Sequence, residues 1–248
     1  LNNNNYFEID FQSKKLKRSR VSAKSKDFNF LIDTSENQII EKLKNFKNKL
    51  DFVLEIGSQG DLGNFISKNL KVKNQLTVDI SIPRLIYNNR DCFKLVLGNN
   101  NLPFQSDSFS AILSCLYIDS SVNSKALFSQ IYNILNKEGF LIISLFGSNT
   151  LKSFKENFIM VEERKFKGIS LRFHPLFELQ KIGDLLKEIG FKNVIVETEI
   201  ISVKYNSIFK LMSDLRGMGL TNSLKNRSKL FTPKSVFLEI ESKLFLNS

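Results

Sequence analysis

Two acidic positions at the ends of predicted strands carry the clearest chemical signal in this sequence. The strand Phe52–Ile56 leads into the turn Gly57-Ser58-Gln59-Gly60, and Asp79 ends the next predicted strand. Glycines let the backbone approach a ligand closely, and the helix that follows presents its N-terminal N–H groups. A carboxylate at Asp79 can accept hydrogen bonds from both hydroxyls of a ribose. These residues predict a site for a cofactor that contains a nucleoside.

The residues around the glycine turn discriminate between two such cofactors. A nicotinamide dinucleotide site prefers Gly-x-Gly-x-x-Gly with the pyrophosphate at the helix N-terminus, and Gln59 replaces the second glycine here. Glu55, two residues before Gly57, adds negative charge where phosphates would lie. S-adenosylmethionine has an ammonium, a sulfonium and no phosphate. The charges therefore favour S-adenosylmethionine over NAD.

Strands that alternate with helices must position these groups. The pattern predicts a parallel, doubly wound α/β sheet with right-handed crossovers and helices on both faces. Two later segments are expected to close the sheet as a pair, which gives seven strands, mostly parallel, with one antiparallel strand. The predicted strands are Phe52–Ile56, Gln75–Ile80, Cys92–Leu97, Ser110–Leu116, Phe140–Phe146, Asn193–Glu199 and Ile200–Tyr205.

Composition excludes several other classes of protein. The chain has 248 residues, 42% of them hydrophobic, which is enough for one large domain with additions. Cys92, Cys115 and the single histidine, His174, cannot build a zinc framework, so no metal is expected. Both cysteines lie in apolar sequence, which fits a reducing compartment. The apolar runs are too short to cross a bilayer, so no transmembrane segment is expected.

Positive charge is concentrated near the N-terminus. The net charge is +11, and Lys14–Lys26 carries seven basic residues and no acidic one. Such a segment could contact anionic lipid as a peripheral membrane anchor, an acidic protein or nucleic acid. A solvated basic helix face and a mitochondrial transit peptide are the plainer alternatives. Nucleic acid is the least favoured of these partners, because only the positive charge suggests it. The same holds for a function in RNA modification.

Several motifs resemble the class I S-adenosylmethionine-dependent methyltransferases. They are Leu54-Glu55-Ile56-Gly57, Asp79, Leu102-Pro103-Phe104 followed by Asp107-Ser108-Phe109, and the turn Asn136-Lys137-Glu138-Gly139. The resemblance implies a Rossmann-like fold, with S-adenosylmethionine as cofactor. It places Glu55 and Gly57 at the methionine end, Asp79 on the ribose and Ile80 on the adenine. The cofactor-binding residues it implies are Glu55, Gly57, Ser58, Gln59, Gly60, Asp79, Ile80, Asn99 and Asn100.

A narrower resemblance covers nearly the whole chain. It lies in Ile9–Arg20, Phe146–Leu151, Gly190-Phe191 and Leu211–Asn222. These segments look like the subfamily that contains a respiratory complex I assembly factor acting as a protein-arginine hydroxylase, and the malonyl-carrier-protein methyltransferase of biotin synthesis. The resemblance then implies that the protein transfers a methyl group to, or otherwise modifies, a small molecule or a protein side chain, with a complex I subunit among the candidates. The expected compartment is a bacterial cytoplasm, with the mitochondrial matrix as the alternative.

The order of segments along the chain also predicts one domain with additions at both ends. Residues 1–30 would form a basic N-terminal arm, partly disordered. Residues 31–205 would form the S-adenosylmethionine-binding domain, and residues 206–248 a helical C-terminal extension packed on it. The oligomeric state is left open.

Three residues are candidates for the acceptor side. Tyr117 could orient a substrate, Arg172 could bind an acidic acceptor, and His174 could act as a base; each has a structural alternative in packing, surface exposure or loop hydrogen bonding. Two departures from the family pattern, Gln59 and Gly98, leave a second hypothesis open. In it, the fold survives as a cofactor-free scaffold for complex I assembly.

Overall fold

A computed structural model describes residues 7–21, 27–57, 60–87, 91–97, 101–118 and 123–245. Ser58, Gln59, Gly98, Asn99 and Asn100 therefore lie outside the described residues. Within them, none of the helices is long and apolar enough to cross a membrane.

A parallel sheet of five strands forms the centre of the fold. Its strands are β1 (Leu50–Ile56), β2 (Val72–Asp79), β3 (Phe93–Val96), β4 (Phe109–Cys115) and β5 (Leu135–Ser144), in the order β3-β2-β1-β4-β5. The chain reverses its direction of winding at β1, which pairs with β2 on one side and β4 on the other. Ligands of such sheets bind beyond the carboxyl ends of the strands at this reversal.

Helices cover both faces of the sheet, as the alternation predicts. They are α1 (Phe11–Val21), α2 (Phe30–Leu43), α3 (Leu62–Asn69), α4 (Ile82–Tyr87), α5 (Ser124–Ile134), α6 (Lys152–Phe166), α7 (Leu179–Ile189), α8 (Ile208–Gly217) and α9 (Lys234–Phe245). Apolar residues of α2 and α3 pack on one face of the sheet, and those of α5 and α7 pack on the other. A third apolar cluster joins α6, α8 and α9.

The expectation of seven strands with one antiparallel member is wrong for the described residues, where five parallel strands form. Residues 193–205 run without strand pairing. Side chains hold this segment instead, because Glu197 pairs with Lys42 of α2 and Val196 packs against Gly183 of α7. Ile195 and Ile200, at 82% and 85% exposed, point away from the fold. Ile195 and Ile200, which lie in the two segments expected to close the sheet, are thus not buried against it.

The basic N-terminal segment contains an ordered helix that packs on the C-terminal part of the chain. Asp10 caps α1 by accepting a hydrogen bond from the Ser13 N–H at 2.9 Å. Ile9 forms an antiparallel bridge with Leu224, and the Arg227 guanidinium lies 2.9 Å from the Asp10 carboxylate. These contacts anchor α1 to the C-terminal part of the chain, and Arg18 of the helix reaches Asp79 at the carboxyl end of β2.

Candidate functional site

The parallel register brings the two predicted strand ends together. Ile56 lies opposite Val78, and the Gly57 N–H continues the ladder by donating to the Val78 carbonyl at 2.8 Å. Gly57 has φ = +89°, in the left-handed region that favours glycine. A Cβ atom at this position would overlap the Tyr117 ring. Glycine is thus required here both by the backbone and by the aromatic ring above it.

The predicted ribose carboxylate is bound by an arginine from α1. Asp79 is fully buried, and its Oδ1 and Oδ2 accept from Arg18 Nε at 3.1 Å and Arg18 Nη2 at 2.5 Å. Oδ1 also accepts from the Ser81 N–H at 2.8 Å. A guanidinium and a pair of vicinal hydroxyls both offer two donors to one carboxylate. Arg18 therefore makes the kind of contact that the ribose was predicted to make.

Tyr117 joins α1 to the glycine turn. Its hydroxyl oxygen accepts from the Ile80 N–H at 3.3 Å, and its backbone carbonyl accepts from Lys14 Nζ, also at 3.3 Å. The Lys14 ammonium and the Arg18 guanidinium lie 4.6 Å and 4.5 Å from the ring centroid, within cation–π range. The ring thus lies between two cations and Gly57.

Glu55 lies at the end of β1 with its side chain buried. Its Oε2 accepts from the Thr77 hydroxyl at 2.7 Å, across the strand pair that places Glu55 opposite Thr77. The Thr77 oxygen lies 3.7 Å from Cys92 Sγ. A buried carboxylate beside the glycine turn is the electrostatic feature that favours a cationic ligand over a phosphate.

Glu36 is a residue of this region that sequence reasoning missed. Its Oε2, on α2, accepts from the Asp61 and Leu62 N–H groups at 2.6 and 3.0 Å. These N–H groups belong to the N-terminus of α3, where a dinucleotide fold binds pyrophosphate. A carboxylate already occupies that position, and a Cβ atom at Gly60 would overlap it. The second carboxylate strengthens the electrostatic case against a diphosphate. The one signal in the sequence is the spacing of apolar residues along α2. Glu36 lies on the same helix face as Ile32 and Ile39, so its carboxylate could have been expected to point inward.

A small cavity remains beside Asp79 and Tyr117. Its volume is about 40 Å³, which is room for one or two waters, whereas ligand pockets commonly measure several hundred Å³. Its walls are mostly apolar and include Ile80, as expected for an adenine site, and two of its lining residues come from α1. The lining is Phe11, Lys14, Ile56, Val78, Ile80, Leu97, Leu102, Tyr117, Ile118 and Leu127.

Two of the three acceptor candidates lie elsewhere. Arg172 donates from Nε and Nη2 to Glu162 Oε1 at 2.9 and 2.7 Å and from Nη1 to the Thr232 hydroxyl at 2.8 Å. His174 Nε2 accepts from the Ser223 N–H at 2.9 Å. Neither lines the cavity. The structure brings together Gly57, Asp79, Ile80 and Tyr117, but not Arg172 or His174.

Comparison with solved structures identifies the fold. The methyltransferase solved with the Trm112 methyltransferase activator of Haloferax volcanii superimposes with a TM-score of 0.54, at 15% identity over 71% of this chain and 75% of that one. An S-adenosylmethionine-dependent methyltransferase of Thermotoga maritima gives 0.50, at 20% identity over 72% and 81%. The chain has the class I methyltransferase fold.

Proteins similar to this chain in sequence carry names of two kinds, hydroxylase and methyltransferase. The human mitochondrial arginine-hydroxylase NDUFAF5 is 24% identical over 230 residues, 91% of this chain. A protein of Rickettsia prowazekii that carries a methyltransferase name is 26% identical over 75% of this chain and 82% of its own length. Malonyl-[acyl-carrier protein] O-methyltransferase 1 of Coxiella burnetii is 28% identical over 55% of this chain and 46% of its own. No family model matches. The chain spans 66% of the length of the human relative.

Proposed function

We propose that this class I methyltransferase-fold protein binds S-adenosylmethionine at the carboxyl ends of β1 and β2. The observation that carries the proposal is the buried Asp79 carboxylate beside Gly57, next to an apolar cavity lined by Ile80. Glu36 and Glu55 give the surroundings negative charge. These carboxylate acceptors and the apolar wall therefore fit an adenosine joined to a cationic amino acid.

The residues of the chain would have distinct roles with the cofactor bound. Asp79 would hold the ribose hydroxyls, the backbone at Gly57 would leave space for the amino acid portion, and Ile80 with the apolar wall would exclude water from the adenine. S-adenosylmethionine supplies a methyl group on a sulfonium, which is activated for displacement. Alignment of the acceptor and desolvation then provide most of the rate, so no general base is required for a carboxylate acceptor.

The acceptor is the second part of the proposal. Relatives named as an arginine-hydroxylase and as a malonyl-[acyl-carrier protein] O-methyltransferase match different shares of this chain, 91% and 55%. The broader match favours a protein side chain, in the manner of complex I assembly, over a biotin precursor. Tyr117 is the candidate that lies at the cofactor end to orient it. A bacterial cytoplasm or a mitochondrial matrix would suit either acceptor.

A second candidate function is a cofactor-free assembly scaffold. The observation that favours it is the closed site, because Arg18 binds Asp79 and the remaining cavity is about 40 Å³. In this alternative α1 would permanently replace the cofactor.

Calorimetric titration with S-adenosylmethionine separates the two candidates. We expect binding by the wild-type chain, and Asp79→Asn to weaken it about 10- to 150-fold, the equivalent of one charge-assisted contact. Asp51→Asn, an exposed change on β1, is the matched control and should bind normally. No binding to the folded wild-type chain at millimolar cofactor would contradict the proposal and favour the scaffold.

A further inference from the structure

We propose that α1 is a displaceable lid, and that Arg18 competes with the cofactor ribose for the Asp79 carboxylate. This inference rests on the proposed binding of S-adenosylmethionine. It adds that the closed arrangement is the resting state of the protein and that cofactor binding opens it.

Asp79 has few acceptor positions left for a ribose. An ionised carboxylate offers about four lone-pair positions. Arg18 fills two of them and the Ser81 N–H fills a third. Two ribose hydroxyls cannot be added while the guanidinium covers the same edge. The ribose and Arg18 therefore exclude one another.

Other residues of α1 also fill the space around the Asp79 carboxylate. Phe11 and Lys14 of α1 line the cavity, and Lys14 and Arg18 flank the Tyr117 ring above Gly57. Rotation of Arg18 alone would leave Phe11 and Lys14 in place. Because the cavity is about 40 Å³, a cofactor needs the whole helix to move.

The body of α1 is held mainly by polar contacts. Of its residues only Ser13 and Arg18 are buried, so apolar packing contributes little. The chain just before the helix is anchored more firmly, because the bridge between Ile9 and Leu224 is buried and backbone hydrogen bonds join residues 8–10 to residues 223–225. Beyond that anchor, the other contacts of the helix include single, part-buried side-chain hydrogen bonds, and elements with few buried apolar contacts open at low free-energy cost. Arg18 is thus the principal latch of the helix beyond its anchored N-terminal end.

Closure and binding are coupled reciprocally. A cofactor that binds only the open state has an apparent dissociation constant equal to its intrinsic dissociation constant divided by the fraction of molecules in the open state. Weakening the latch should therefore tighten cofactor binding, although it removes a contact. A residue that merely supported the site would have the opposite effect when substituted.

The test compares Arg18→Gln with Arg20→Gln, an exposed arginine on the same helix that loses the same charge. We expect Arg18→Gln to bind S-adenosylmethionine about tenfold or more tightly than wild type, with Arg20→Gln unchanged. Hydrogen exchange should show residues 11–21 exchanging faster when cofactor is added to the wild-type chain. Weaker or equal binding by Arg18→Gln, or slower exchange in α1 with cofactor, would overturn the lid.

A second variant keeps the test decisive if Arg18→Gln fails to fold, because that substitution leaves a buried carboxylate without its cation. Arg227→Gln loosens α1 at its far end and should tighten binding in the same direction but by less. Thermal melts verify that each variant is folded. Equal binding by all variants overturns the lid alone, whereas no binding by any folded variant overturns the proposed function and the lid together.

Discussion

Arg18 and Asp79 form a two-point ion pair between the N-terminal helix and the end of β2, with both side chains buried. The pair lies more than sixty positions apart in sequence and joins the basic segment to the predicted ribose carboxylate. Burying two charges is favourable only when their geometry and hydrogen bonds are good, and this pair satisfies both. The basic segment, for which the sequence suggested a solvated helix face or a contact with an anionic partner, thus reaches the predicted ribose carboxylate.

Removal of the Glu36 carboxylate should destabilise the protein without touching the sheet. Glu36→Ala leaves two N–H groups at the start of α3 without their acceptor, and the expected loss is about 2–3 kcal/mol of unfolding free energy. Glu41→Ala, an exposed change on the same helix, should cost less than about 0.5 kcal/mol. Urea denaturation measures both. Equal losses would show that Glu36 does not cap α3.

Gly57→Ala should be destabilising for two separable reasons. The positive φ costs about 1–3 kcal/mol for a non-glycine residue, and the added Cβ overlaps the Tyr117 ring. The loss should be smaller in a Tyr117→Ala background, because only the backbone cost remains. Gly147→Ala, where an added Cβ meets nothing within 4 Å, is the near-neutral control. An identical loss with and without the ring would contradict the steric part of this account.

The Glu162–Arg172 pair should make stability depend on acid pH. Burial would raise the pKa of Glu162, but hydrogen bonds from Ser170 and Arg172 outweigh it and hold the pKa below its ordinary value of 4.5. A carboxyl whose folded pKa is depressed contributes stability above its unfolded pKa, and this contribution is lost as pH falls through the folded pKa.

Glu162→Gln should therefore have a lower free energy of unfolding than wild type at pH 7. The two free energies should converge as the pH falls from about 5 towards 3. The exposed neighbour Glu163→Gln should follow the wild-type curve. Denaturation at several pH values measures this. A stability difference that stays constant across that range would refute the structural role of the Glu162–Arg172 pair. Weaker cofactor binding by folded Glu162→Gln would show that Arg172 belongs to the cofactor site after all.

The two cysteines should differ in reactivity. Cys115 is buried, and burial, with the carboxylates of Glu36 and Glu55 as lesser causes, raises the pKa of its thiol. Cys92 is half-buried beside Thr77. A disulfide reagent should titrate one thiol quickly in the native protein and the second only on unfolding. Cys92→Ser should remove the fast phase; two fast thiols would show that Cys115 is accessible.

Much of the fold follows from local sequence. Central strands are continuous apolar runs such as Val53-Leu54, buried on both faces, so β1 and β4 are predicted to within two residues. The amphipathic spacing of α7 and the terminal Gly190, with φ = +119°, predict where that helix ends. These features depend on residues close in sequence, and periodicity reports them directly.

What the sequence did not predict has a common physical cause. The docking of α1 depends on Asp79 and on the remote Arg227, which a run of basic residues does not reveal. Glu36 acts on a helix that begins 26 positions later. The side-chain contacts that hold residues 193–205 in place of strand pairing are also long-range. Sequence patterns do not encode contacts of this range.

The most direct measurement of the central claim is a pair of calorimetric titrations of the wild-type chain, one with S-adenosylmethionine and one with NAD. The carboxylates of Glu36 and Glu55 lie where a diphosphate would need positive charge or free N–H groups. We therefore expect S-adenosylmethionine to bind and NAD to give no heat above dilution. Tighter binding of NAD, or binding of neither by folded protein, would contradict the account.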